Sequence, residues 1–145
     1  MKALQNAKIG IGLSPIDATG TTFTPIAFDL GTGGPYSEVM CIVQTGNVAA
    51  DMTSLKLVER DDSATLTSGT TDITGGGFTA PLATGGDNTI RCAFVPLGGP
   101  RKRYIGVIGT AGAGATLINA VWIGIPAVMP NSNTERGVTE TLFCT

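Results

Sequence analysis

The chain has 145 residues, the size of one ordinary domain. Hydrophobic residues make up 42% and charged ones only 14%, so material for a core is present and whole-chain disorder is excluded. A net charge of −2 leaves little from which to build a phosphate-neutralising surface, and the absence of His removes Ser-His-Asp and Cys-His nucleophilic systems and most catalytic zinc sites.

Short apolar runs rich in β-branched and aromatic residues alternate with clusters of Gly, Pro, Asn and Asp, which is a pattern of strands and turns. In chain order, strands are expected at 8–13, 21–30, 38–45, 53–60, 70–74, 88–95, 102–108, 117–125 and 139–143. Between them lie Gly31-Thr32-Gly33-Gly34-Pro35, Asp61-Asp62-Ser63, Gly75-Gly76-Gly77, Gly85-Gly86-Asp87 and Leu97-Gly98-Gly99-Pro100, each with turn chemistry. Strands this short and this regularly spaced indicate an all-β sandwich or barrel. Leu55 and Leu57 face one side of the 53–60 strand and Ser54, Lys56 and Arg60 the other, with Val58 out of phase. The runs 38–45 and 102–108 are apolar on both faces, as expected of central strands or of strands covered by a partner subunit. Residues 1–7 and 130–145 carry polar clusters and read as arms that order on assembly.

Residues 104–129 hold no charge for 26 positions and follow Arg101-Lys102-Arg103, so length and flank fit a membrane span. The Gly109-to-Thr116 turn, Asn119, Pro126 and the β-branched residues on either side favour two buried strands instead. Leu117, Ile118, Val121, Trp122 and Ile125 also fit a helical face, but Gly124 and Pro126 argue for a strand. No secretory leader is read at the N-terminus. Cys41 and Cys92 sit in apolar runs and are expected as buried, reduced thiols; spacing leaves a bridge between them open.

Gly109-x4-Gly114-Ala115-Thr116 follows an expected strand and mimics a phosphate-binding loop, yet Ala115 stands where the loop's Lys is required. Glu59, Asp61, Asp62 and Asp72, with Asp51 not far behind, form an acidic group without the spacing of a Ca²⁺ loop, so solvated turns are expected. The basic triplet Arg101-Lys102-Arg103 reads either as protection of a strand edge or as a contact point for an acidic partner.

Two segments carry a resemblance. Thr24-Pro25-Ile26-Ala27-Phe28-Asp29-Leu30-Gly31-Thr32-Gly33-Gly34 resembles the apolar, Asp-Leu-Gly, small-residue segment near the start of small tailed-phage capsid cement proteins. Val95-Pro96-Leu97-Gly98-Gly99-Pro100-Arg101-Lys102-Arg103-Tyr104-Ile105-Gly106-Val107 is similar to their Pro-x-Gly, basic, Arg-Tyr, aliphatic strand. The polar strand and turn at 54–67 and the Gly-rich hairpin after Ile108 fall in the same order. The likeness is to the capsid cement (decoration) family typified by that of a Bordetella podophage, and it covers roughly residues 22–128. Where that family carries Arg or Lys between two aliphatics after Arg-Tyr, this chain has Gly106.

The resemblance implies a single-domain, jelly-roll-like antiparallel β-sandwich at 22–128, preceded by an arm and first strand at 1–21 and followed by an extension at 129–145. It implies a protein made in the host cytoplasm that sits on the outer surface of the virion. There it would bind the major capsid protein across capsomer boundaries as a homodimer or homotrimer. No enzyme, cofactor, metal, nucleic-acid or membrane role goes with it. Independently, the uncharged 104–129 stretch offers more apolar surface than one sandwich face needs. The expected interface anchors are Trp122, Ile125 and Tyr36, with Arg101 and Arg103 at the rim. The competing reading is a non-catalytic binding module for carbohydrate or, at a phage tail or spike tip, a receptor; it requires a row of exposed aromatics.

Overall fold

The computed structural model describes residues 7–32, 34–126 and 138, and the statements below concern those residues. The chain is all-β, with no helix. Eight strands follow one another: β1 (Lys8–Ala18), β2 (Phe28–Asp29), β3 (Tyr36–Val48), β4 (Ser54–Arg60), β5 (Thr71–Gly77), β6 (Thr89–Val95), β7 (Tyr104–Thr110) and β8 (Thr116–Pro126). They form two four-stranded antiparallel sheets, one in the order β1-β8-β3-β6 and the other β2-β7-β4-β5. Within these sheets β1 pairs with β8, β2 with β7, β3 with β6 and β4 with β5.

Each sheet turns one face inward. From β3 come Val39, Cys41 and Val43; from β8 come Ile118, Ala120 and Trp122; from the facing sheet come Leu55, Leu57, Ile105 and Val107. All are buried, and together they are the core of a β-sandwich. At one end, Phe28 stacks at an angle between Tyr36 and Trp122, with ring centroids 5.4 and 5.9 Å away. These rings fit because Gly10, Gly12 and Gly124 have no side chains: a Cβ at Gly124 would lie 2.8 Å from Tyr36 and 2.9 Å from Phe28.

Within the uncharged 104–129 stretch, residues 104–126 form β7 and β8 joined by a Gly-rich turn, as the residue types require. No helix is long and apolar enough to cross a membrane. In that Gly-rich turn Gly112 and Gly114 lie against the backbone of Ala49, Ala50 and Asp51, leaving no room for a side chain.

Three expectations are corrected. The 21–30 strand shrinks to Phe28–Asp29 and a single bridge, Thr22 to Thr110. Pro25 has no N–H, and the segment crosses between the sheets: Phe23 N–H donates to Gly109 on β7, while Ile26 N–H donates to Gly12 on β1. The turn expected at Gly75-Gly76-Gly77 is instead the end of β5, where Gly77 pairs with Lys56. The first strand, β1, pairs with β8 along most of its length. Cys92 is exposed while Cys41 is buried. On β6 the positions 90, 92 and 94 point outward, whereas 41 on β3 points inward, so the two thiols lie on opposite faces and both are free. The expected strand at 139–143 and the arm at 1–6 lie outside the described residues.

Candidate functional site

The two sheets differ on their outer faces. The outside of β2-β7-β4-β5 is covered where it is apolar: Leu66, from the β4–β5 connection, is fully buried over Gly106 of β7, next to Val58 of β4. This explains why Val58 breaks the alternation and is still 1% exposed.

No described segment covers the outside of β1-β8-β3-β6, and its outward residues are apolar in continuous rows. Register places Ile9, Ile123, Met40 and Phe94 side by side across the four strands, and Ile11, Val121, Ile42 and Cys92 in the next row. Phe94 is 77% exposed, Ile90 64% and Ile11 57%. A row of cross-strand neighbours about 4.8 Å apart forms a continuous hydrophobic strip rather than scattered exposed residues. The charges at its two ends are both acidic and exposed: Glu38 opposite Ile125, and Asp17 opposite Leu117. At the Asp17 end, Pro15, Ile16, Gln44 and Leu117 line a shallow open groove.

No family model, curated protein or solved structure matches the chain.

The residues picked out from the sequence fall in different places. Ile125 lies on the outer apolar face, half-buried. Trp122 does not: it is 0% exposed, three strand positions earlier and on the inner face, and serves as core. Tyr36 packs on Phe28 and Gly124 at the end of the core, and its hydroxyl donates to the Thr32 carbonyl at 2.6 Å, tying down the 31–35 turn. Burial, with the charge of Asp29 nearby, pushes its phenol up to about 12.

The basic triplet is held within the chain. Arg101 reaches Glu59 at 2.9 Å with both side chains largely shielded, and Lys102 Nζ donates to Thr71. Arg103 grips Asp29 through two bonds, Nε to Oδ1 at 3.0 Å and Nη2 to Oδ2 at 2.9 Å, and lies over the Tyr104 ring. The guanidinium, together with bonds from the Thr32 hydroxyl and the Gly31 N–H, holds the Asp29 carboxyl far below its ordinary range. These arginines fasten the 96–103 loop to the β2-β7-β4-β5 sheet, away from the apolar face.

The other members of the acidic group picked out from the sequence are likewise engaged. Asp62 pairs with Arg60, which pulls its carboxyl down to about 2. Asp72 pairs with Lys56, Asp61 accepts from the Arg103 N–H, and Asp51 accepts from the Ala83 N–H. No group of three metal-ligating side chains is gathered among the described residues.

The sequence pattern alone does not single out Ile9, Ile11, Met40, Phe94 or Ile123. Its two signals are that 38–45 is apolar on both faces and that 104–129 carries a surplus of apolar residues, and the face explains both: Val39, Cys41 and Val43 fill the core, while Met40, Ile42, Val121 and Ile123 line the strip.

Proposed function

We propose that this protein is a structural capsid cement protein. In this reading it binds the outside of an icosahedral phage head and stabilises contacts between capsomers of the major capsid protein. The observation that carries the reading is the pair of uninterrupted apolar rows across the outer face of β1-β8-β3-β6. An apolar strip this continuous favours burial against another protein surface. The pairing β1–β8, β2–β7, β3–β6 and β4–β5 is what results when one long hairpin ribbon is rolled up, and we take it as jelly-roll wiring, in keeping with the resemblance to phage cement proteins.

The partner surface is defined by the chemistry of the strip. It is apolar in the centre and carries Lys or Arg at positions meeting Glu38 and Asp17. Both ends of the strip are acidic, so a face-to-face copy of this chain sets acid against acid in either two-fold arrangement, while a shell surface with basic flanks is attracted. A carbohydrate-binding face is the weaker reading, because the strip is aliphatic with Phe94 as its one aromatic ring.

Emptied phage shells stripped of their decoration test the proposal by cosedimentation. The native protein is expected to saturate the shells in fixed ratio to the shell subunit, and Ile123→Asp to lose most of that binding while keeping its β-sheet circular dichroism. Wild-type occupancy by a folded Ile123→Asp variant would overturn the reading.

A further inference from the structure

Four strands end the two sheets, and three of them are ill-suited to pairing. β1 is broken by register shifts between Ile11 and Leu13 and between Leu13 and Ile16, and it contains Pro15. β2 is two residues long. β5 carries Asp72, three consecutive glycines and a register shift opposite Lys56 and Val58. These are the features that keep sheet edges from joining.

β6 has none of them. Its seven residues pair with β3 position by position without a shift, and it contains neither Pro nor Gly. Its one charge, Arg91, turns away from the apolar face, donating to the Thr79 carbonyl at 3.2 Å and to the Thr89 hydroxyl. No backbone hydrogen bond joins Thr89–Val95 to any described segment other than β3. Among the described residues, the far edge of β6 therefore presents a row of peptide groups without a backbone partner beneath Ile90 and Phe94, the two most exposed large apolar side chains described.

We propose that the β6 edge is a self-association surface, on which β6 of a second copy pairs antiparallel about a two-fold axis at Cys92. Side-chain direction and charge select this register. A two-fold axis perpendicular to the sheet makes one residue its own partner. With Cys92 at that position, Ile90 stands opposite the second copy's Phe94 and Phe94 opposite its Ile90, and aromatic–β-branched pairs of this kind stabilise sheets. Centring the pair on Arg91 would instead set two like charges opposite each other. With Cys92 central, each Arg91 faces an Ala93.

The product is one continuous eight-stranded sheet. The row Ile11, Val121, Ile42, Cys92 then runs unbroken into its own copy, making an apolar strip spanning seven strand spacings, about 34 Å at about 4.8 Å each. This refines the self-association half of the cement-protein reading, choosing two copies over three. Its test needs no shell, so it stands or falls separately.

The full chain carrying Cys144→Ser is studied by light scattering and by a short bis-maleimide, which joins thiols only a few ångströms apart. The expected mass is twice 14.7 kDa, with efficient cross-linking that Cys92→Ser abolishes. Phe94→Lys, at a position already exposed in the single chain, is expected to stay folded by circular dichroism and shift the dimer constant at least a hundredfold toward monomer. The register has its own check in a Cys92→Ser background. Chains with Ile90→Cys and chains with Phe94→Cys should cross-link to each other and not to themselves. A protein that remains monomeric at high micromolar concentration, or a dimer that Phe94→Lys leaves intact, would overturn the proposal, as would a dimer without Cys92 cross-linking.

Discussion

Leu66 occupies the space that a side chain at Gly106 would need: a Cβ built on Gly106 collides with the Leu66 methyl group. Leu66 is 0% exposed there although it comes from the irregular connection between β4 and β5. The missing side chain on β7 and the buried one on the loop are two halves of a single contact, and it covers the apolar part of one sheet's outer face. Gly106→Ala is expected to destabilise the fold by about 1–3 kcal/mol through overpacking, and Leu66→Ala by about 2–5 kcal/mol through the cavity left over Val58. Urea denaturation of both single variants and the double measures this. The double variant should cost less than the sum of the two, since the added methyl partly fills the vacated space.

The inward and outward neighbours on β8 should behave oppositely. Trp122→Ala removes a fully buried indole and is expected to cost about 3–5 kcal/mol, with loss of the native thermal transition in a domain of this size. Ile123→Ser, one position on and on the outer face, should change monomer stability by less than about 1 kcal/mol. Its effect should appear in binding to shells. Paired thermal melts and cosedimentation separate the two roles.

The Asp29–Arg103 pair makes a pH-dependent contribution whose sign follows from the lowered carboxyl. A group whose native pKa is depressed stabilises the fold above its unfolded value, about 3.9 for Asp, and that stability is lost as pH falls toward and through the native value. Asp29→Asn is expected to lower stability at pH 7 and to flatten the stability loss below pH 4. Denaturant midpoints collected from pH 7 to pH 2 for both proteins test this. Parallel acid limbs for the two would show that the pair contributes no such dependence.

The Cys41 and Cys92 thiols should be distinguishable by reagent access. Burial pushes the Cys41 thiol up to about 12, so it is expected to stay unmodified in the native protein, while exposed Cys92 reacts with a small maleimide. Mass spectrometry of briefly labelled protein, with Cys144→Ser to simplify the pattern, locates the adduct. Labelling of Cys41 at the Cys92 rate would contradict the packing of β3 in the core.

Strand positions were largely legible because turn chemistry is local: Gly85 adopts a positive φ in the turn ahead of β6. Gly75-Gly76-Gly77 has the same chemistry and misled, because the pairing of Gly77 with Lys56 carries β5 through it. The orientation of β8 was not legible. Its residues are apolar at nearly every position, so no alternation states which set faces the core, and Trp122 and Ile125 read as equivalent. Gly10, Gly12 and Gly124 settle the matter only once three strands are placed together, because those glycines make room for the Trp122 and Phe28 rings. The arginines were hidden for a similar reason. Arg103 finds Asp29 at a separation of 74 residues and Arg101 finds Glu59 at 42, distances over which a charge run gives no hint of its partners.

The position of β8 between β1 and β3 fixes an order of events. Lys8 lies opposite Gly124, 116 positions later (124 − 8), so β1 has no neighbour in its sheet until β8 has left the ribosome. Meanwhile β3 and β6 can pair, but they wait with β3's other edge open and both faces apolar. Closure through contacts this distant is slow, on the order of milliseconds to seconds, and an open apolar ribbon is prone to join its neighbours during that interval. Slow synthesis, low temperature or a chaperone that holds β3 until β8 arrives is therefore expected to raise the yield of folded protein.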